Sequence, residues 1–413
     1  MKNILKVFLV YLIINIIMVL FIKNSAFTIS WVLFGLISFL LALLIIVIVF
    51  SGILSIVFAI IKEDFIAIKV LKKSALWGLA LLVLAITQVL MSEYYSYIPQ
   101  TSEIAYEEKV ILNDTEQYIT VRGSNENNPV ILFFAGGPGG SQVQATREHL
   151  KDLEEDYTIV TWEQPGSGKS YNARKISSLT PDLYIEDAHA LTNYLKETFN
   201  QDKIYLIGES WGSYVAVDLA MKYPSDYYSI ITTGQMVDFA ETEEYCYDMA
   251  FEIARDANDE QQIKALENLG RPPLTEGNIS IDSATYLTYL YQYMAHSEDI
   301  NHTSWSTFDT LISPEYSIKD SFNFMRALYF TFSQVYKQLY TTDLRESHTQ
   351  LEVPIYILHG RHDINAPVYL VEDYYQQIEA PEKSLIFFEG SGHSPWITES
   401  ELFNETVKSL FDN

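Results

Sequence analysis

Lys203-Ile204-Tyr205-Leu206-Ile207-Gly208-Glu209-Ser210-Trp211-Gly212-Ser213 is the stretch whose reading decides the fold. A short apolar, β-prone segment leads into Gly-x-Ser-x-Gly, and a helix-compatible sequence, Ser213 to Tyr223, follows. The pentapeptide alone is common by chance. With a strand before it and a helix after it, it reads as a nucleophile elbow, a strand-to-helix reversal that holds a serine hydroxyl clear of the sheet. Flanking glycines make so sharp a reversal sterically possible.

A serine hydroxyl is a poor nucleophile until a base removes its proton and a third group orients that base. On such an elbow the expected chain order is serine, acid, histidine. Val353-Pro354-Ile355-Tyr356-Ile357-Leu358 reads as a buried strand followed by Gly360-Arg361-His362-Asp363. Ser384-Leu385-Ile386-Phe387-Phe388 reads as the next, followed by Glu389-Gly390-Ser391-Gly392-His393. Asp363 and His393 thus fall just beyond strand C-termini, the edge where open α/β sheets bind ligands. Either alone would be an ordinary turn acid or surface histidine. Three residues in order, each after its own strand, make a Ser210–His393–Asp363 triad the expectation. His359 and His362 do not make a metal site with Asp363, because a catalytic zinc wants three well-spaced ligands. No metal and no cofactor is expected.

Acyl transfer also needs donors for the developing oxyanion. Val130-Ile131-Leu132-Phe133-Phe134 ends in Ala135-Gly136-Gly137-Pro138-Gly139-Gly140-Ser141, where backbone N–H groups of Gly136 and Gly137 can approach a substrate oxygen. Trp211 N–H, directly after the serine, is the expected partner donor. This loop lacks the Gly-x-Gly-x-x-Gly spacing of a dinucleotide site. Gly166-Ser167-Gly168-Lys169-Ser170 fails as a phosphate loop because Glu163 stands where its first glycine is required.

These motifs resemble the proline iminopeptidase branch of the α/β-hydrolases. The carriers are Gly136-Gly137-Pro138-Gly139-Gly140, Trp162-Glu163-Gln164-Pro165-Gly166-Ser167-Gly168-Lys169-Ser170, Gly208-Glu209-Ser210-Trp211-Gly212-Ser213, Gly360-Arg361-His362-Asp363 and Gly392-His393. The resemblance covers about residues 100–413. It departs at Ala135, where the family has histidine, and at Glu163-Gln164-Pro165-Gly166, where it has Asp-Gln-Arg-Gly. It implies an α/β-hydrolase fold with a helical cap, a serine aminopeptidase activity and cap acids that hold a substrate ammonium. The matching acids are Glu243 and Glu244, with Glu244 preferred. A small-molecule or short-peptide substrate is implied. The alternatives are a carboxylesterase, since a triad does not encode its leaving group, and a non-catalytic membrane sensor.

Alternating strand and helix signals imply a largely parallel sheet, built from residues 102–240 and 350–413. Strands near 105–112 and 116–122 flank a turn at Asn113-Asp114. Others are expected near 130–135, 157–162, 203–208, 228–233, 354–359 and 384–389, with helices near 183–199, 211–223, 367–378 and 398–411. The intervening 241–349 reads as a helical, tyrosine-rich cap.

The first 92 residues differ in kind. Apolar runs at about 4–22, 31–55 (continuing to Ile61) and 74–91 each suit one membrane crossing, and a cleaved signal would account only for the first. Lys2, Lys6, Lys62, Lys69, Lys72 and Lys73 against Lys23 place the N-terminus and second loop in the cytoplasm. Three crossings then carry the catalytic domain, after a linker at 93–101, to the outer face. Of 53 acidic and 27 basic residues, only two acids and seven lysines precede Ser92, so the rest carries a net −31. Such a domain excludes nucleic acid as a partner. The single Cys246 excludes an internal disulfide framework.

Overall fold

The computed structural model describes residues 96–303 and 306–411, with isolated positions at 68, 72, 86 and 89. Apart from Ile86 and Val89, the three apolar runs lie outside the described residues. No helix among the described residues is long and apolar enough to cross a membrane, so the predicted anchor finds no support there.

Residues Ile98–Tyr316 and Asp320–Asn413 form one compact unit around an eight-stranded sheet of order β1-β2-β4-β3-β5-β6-β7-β8. β1 (Ile104–Leu112) and β2 (Thr115–Gly123) make the expected antiparallel hairpin. Its two turn residues, Asn113 and Asp114, take φ of 45° and 64°, the left-handed conformation that a two-residue hairpin turn demands. β2 joins β4 (Thr158–Glu163) antiparallel, and every later pairing is parallel: β3 (Val130–Phe134), β5 (Ile204–Glu209), β6 (Tyr227–Thr233), β7 (Ile355–Gly360) and β8 (Lys383–Phe388).

Parallel strands are covered on both faces and therefore read as continuous apolar runs. β3, β4 and β7 are buried at every position. One face carries α1 (Val143–His149) and, from the C-terminus, the helix Ser400–Phe411, packed through Phe133, Trp396 and Phe403. The other carries α2 (Pro181–Thr198) and α3 (Trp211–Lys222), packed through Leu132, Leu191 and Val215. α2 starts where Thr180 accepts the Leu183 N–H and Pro181 takes the first helical position.

The cap lies between β6 and β7. Its main helices are α4 (Phe239–Asp256), α5 (Glu260–Leu269), α6 (Ile279–His296) and α7 (Ile318–Arg326), and side chains of Asp238, Asp259 and Asn278 cap the first three. Both ends of the cap leave the sheet together. Asp238 and Asp343 form a β-bridge, Leu344 N–H donates to Val237 O at 3.0 Å, and Arg345 donates to Asp238, Glu241 and Asp343 at 2.7–3.2 Å. Over the core, Thr331 Oγ1 donates to Gly166 O at 2.8 Å, and Arg147 pairs with the buried Glu315 at 2.5 Å.

Candidate active site

β5 ends at Glu209 and α3 begins at Trp211, so Ser210 alone makes the reversal. Its φ of 53° and ψ of −121° are strained for a residue with a side chain. Gly212 is required behind it, since a Cβ there would lie 2.2 Å from Phe134 O. A serine preceding a helix ordinarily spends its hydroxyl on capping. Here Ser210 makes no such bond, and its N–H donates to Thr233 O at 2.9 Å. Ser213 does the local tying instead, donating to Ser210 O at 2.5 Å and accepting from Met236 N–H at 3.0 Å.

Asp363 lies three residues past β7, and His393 lies five past β8. The parallel pairing of those strands brings the two loops together. His393 Nδ1–H donates to Asp363 Oδ2 at 2.9 Å, and Ala366 N–H donates to Oδ1 at 2.8 Å. Burial alone would raise Asp363, but the His393 charge and these donors hold its carboxyl below the usual range. Burial pulls His393 down, yet Asp363, and beyond it Glu209, outweigh that and raise it. Gly234, the residue after β6, packs against the imidazole. A Cβ there would stand 2.9 Å from Cε1. The segment that receives the Ser210 N–H therefore also backs His393.

His359 and His362 take other roles. His359 is buried at the end of β7, kept neutral by burial, and donates Nε2–H to Ala366 O at 3.0 Å, while Asp363 is 3.7 Å away. His362, half-buried, bonds Glu389 O at 3.1 Å through Nε2.

Sequence reasoning passed over Glu209, and the structure makes it the hub of the site. Its buried carboxylate accepts from Ser394 Oγ at 2.5 Å, from Trp396 Nε1 at 2.8 Å and from Gln142 Nε2. The neighbours of Ser210 and His393 are thereby bonded to each other. Gln142 Oε1 in turn accepts the Gly136 N–H at 3.1 Å, which fixes the glycine loop. Gln164 completes the floor, accepting Trp211 Nε1–H at 3.0 Å and donating to Ala135 O at 3.3 Å.

The glycine loop and Ser210 adjoin: a Cβ on Gly136 would lie 3.4 Å from Ser210 Cβ. Gly136 N–H is already taken by Gln142, whereas Gly137 N–H and Trp211 N–H are without partners among the described residues. The open donor of the loop is thus Gly137. Trp211, as first residue of α3, has no carbonyl one turn back to bond.

The two cap acids diverge. Glu244, half-exposed, pairs with Arg271 at 3.2 Å. Glu243 is buried, accepts Tyr336 OH at 3.0 Å and bonds Tyr286 OH, and burial pushes it up to about 7. Adjacent in sequence, the two lie about 100° apart around α4 and meet opposite environments.

Residues 129–261 match the family model of the alpha/beta hydrolase fold. The probable aminopeptidase YbaC of Bacillus subtilis is 30% identical over 315 residues, which are 75% of this chain and 97% of that protein. The chain belongs to the α/β-hydrolase family. A proline iminopeptidase of Saccharolobus solfataricus is 25% identical over 71% of this chain and 86% of its own length. The crystal structure of a proline iminopeptidase from Mycobacterium smegmatis superposes with a TM-score of 0.54 over 74% of this chain and 97% of that one, at 15% identity, a likeness of fold.

Proposed function

We propose that this hydrolase is a membrane-anchored serine aminopeptidase working through Ser210, His393 and Asp363. The observation that carries the reading is the buried His393–Asp363 bond at 2.9 Å beside a serine left uncapped on a strained elbow. Ser210 Oγ attacks the substrate carbonyl and its proton passes to His393 Nε2. Asp363 keeps the proton on Nδ1 and stabilises the imidazolium. Gly137 and Trp211 donate N–H groups to the oxyanion. His393 then protonates the leaving amine, giving an acyl-enzyme that water, deprotonated by the same imidazole, hydrolyses.

Two supports favour an N-terminal amine substrate over an ester. Relatives at 30% and 25% identity are named as aminopeptidase and proline iminopeptidase. The cap also holds a buried carboxylate, Glu243, and this geometry favours it over Glu244, whose charge Arg271 already satisfies. No cofactor enters the scheme, and the substrate is a small molecule or short peptide. The apolar N-terminal runs support integral membrane attachment with the catalytic domain outside the cytoplasm.

The test is labelling with a fluorophosphonate probe. Wild type should label and Ser210→Ala should not, with turnover reduced by about 10⁴- to 10⁶-fold. Undiminished labelling of Ser210→Ala would place the nucleophile elsewhere. Paired aminoacyl-amide and ester substrates decide the leaving group, and turnover of the ester alone would replace the peptidase with a carboxylesterase.

A further inference from the structure

The imidazole nitrogen that must accept the Ser210 proton is already engaged. Asn365 Nδ2 lies 3.1 Å from His393 Nε2 and 3.1 Å from the hydroxyl of Tyr291, a residue of cap helix α6. The Tyr291 ring stands edge-on to His393 with centroids 6.2 Å apart. Among the described residues, Ser210 Oγ makes no hydrogen bond to His393. The tautomer fixes which end of Asn365 faces the base. Asp363 takes the Nδ1–H, so neutral His393 presents a lone pair at Nε2, and only the amide NH₂ can meet it. Its two N–H groups then serve Nε2 and the Tyr291 oxygen.

We infer that Asn365, held by Tyr291 of the cap, is a restraint on the catalytic base that substrate must displace before Ser210 can be activated. The inference rests on the serine-hydrolase reading and adds the regulation of that same site. Its chemistry follows from proton count. Once His393 carries the Ser210 proton, Nε2 becomes a donor, and an N–H of Asn365 facing it is repelled rather than bonded. The amide has to turn or withdraw during every turnover. Its other hydrogen bond ends on α6, so withdrawal is coupled to the position of the cap. A substrate that lifts Tyr291 frees the base, and the Ser210 hydroxyl takes the vacated place at Nε2. The restraint thus ties activation of the serine to occupancy beneath the cap.

The experiment measures the rate of Ser210 labelling by a small fluorophosphonate in the full-length, detergent-solubilised enzyme, for wild type, Asn365→Ala and Tyr291→Phe. The probe's fluoride leaves without needing a proton from His393, so the readout isolates deprotonation of the serine. Asn365→Ala should label faster, by about fivefold, the effect of removing one neutral hydrogen bond from the resting base. Tyr291→Phe, which keeps the ring and loses only the hydroxyl, should label faster by a smaller factor.

A second readout has a fixed sign. The groups facing His393 are Asp363 and Asn365 from the loop after β7, His359 from β7, Glu209 from the end of β5 and Tyr291 from α6. An N–H donated to Nε2 favours the neutral ring, so Asn365→Ala should move the acidic limb of labelling to higher pH. Equal or slower labelling of both variants, at wild-type melting temperature, would overturn the restraint. Should Asn365→Ala fail to fold, Tyr291→Phe decides alone by the same criterion. Failure of the underlying reading looks different, because Ser210→Ala would then label like wild type.

Discussion

At the scale of single residues, Glu209 has the largest untested consequence. It precedes Ser210 in sequence, holds Ser394 and Trp396 on the histidine side and reaches the glycine loop through Gln142. Its negative charge helps raise His393. Glu209→Gln removes that charge, so the imidazolium loses a partner, the His393 pKa falls and the acidic limb of kcat/KM should move to lower pH. Turnover should fall about ten- to a hundredfold, the size of a charge-assisted hydrogen bond, because the transition state contains the imidazolium. A pH–rate profile superimposable on wild type would reduce Glu209 to a packing residue. Ser210, Asp363 and His393 stand out in the sequence because each follows its own strand in a fixed order, and the structure brings Asp363 and His393 together. The sequence could not make Glu209 legible as a hub, since its partners lie 67, 185 and 187 residues away. Asn365 was hidden for a related reason. It stands two residues after Asp363, where nothing local distinguishes a polar loop residue from one that meets the base.

Among the elements, the strands were read closely, the inner ones because strands covered on both faces are largely apolar, and their edges moved by only a residue or so. The hairpin turn at Asn113 and Asp114 came from the intrinsic tolerance of these residues for left-handed backbone. Helix α1 was missed, being seven residues long and started without a side-chain cap bond. Inside the cap, the sequence pattern indicated helices but not their facing sides, so Glu244 was preferred although Glu243 is the buried acid and Glu244 pairs with Arg271 at the surface. That difference has a measurable consequence. The Glu243 carboxyl ties α4 to α6 through Tyr286 and to the helix Phe332–Tyr336 through Tyr336. Burial raises its pKa from 4.5 to about 7 in the folded protein. A group raised on folding binds its proton more tightly in the native state, so it stabilises fully below the unfolded value and loses that contribution as pH rises through the folded one. Wild type should therefore lose stability between about pH 5 and pH 8 by an amount on the order of 3 kcal/mol from this group, whereas Glu243→Gln should be flatter across that range. Melting curves at pH 5 and pH 8 check this. Parallel pH dependence in the two proteins would mean that the carboxyl is not buried as a proton-binding group.

For the molecule as a whole, composition divides the chain more sharply than any motif does. Nearly all the acidic charge falls after Ser92, and the three long apolar runs fall before it. A strongly acidic domain is soluble and keeps away from anionic head groups, so its residence beside a bilayer would depend on those runs. Lys2, Lys6, Lys62, Lys69, Lys72 and Lys73 stand against Lys23 in the loops around the apolar runs, and for segments that span a membrane such an asymmetry would orient the lysine-rich loops to the cytoplasm. On the proposed topology the odd number of runs would send the catalytic domain outward, where its substrates would be extracytoplasmic small molecules or peptides. A reporter active only outside the cytoplasm should be silent when fused after Lys69 and active when fused after the C-terminus. Protease added to intact cells should digest the catalytic domain. A silent C-terminal fusion together with a protected domain would require an even number of crossings, and the lysine asymmetry would then have been misread as topology.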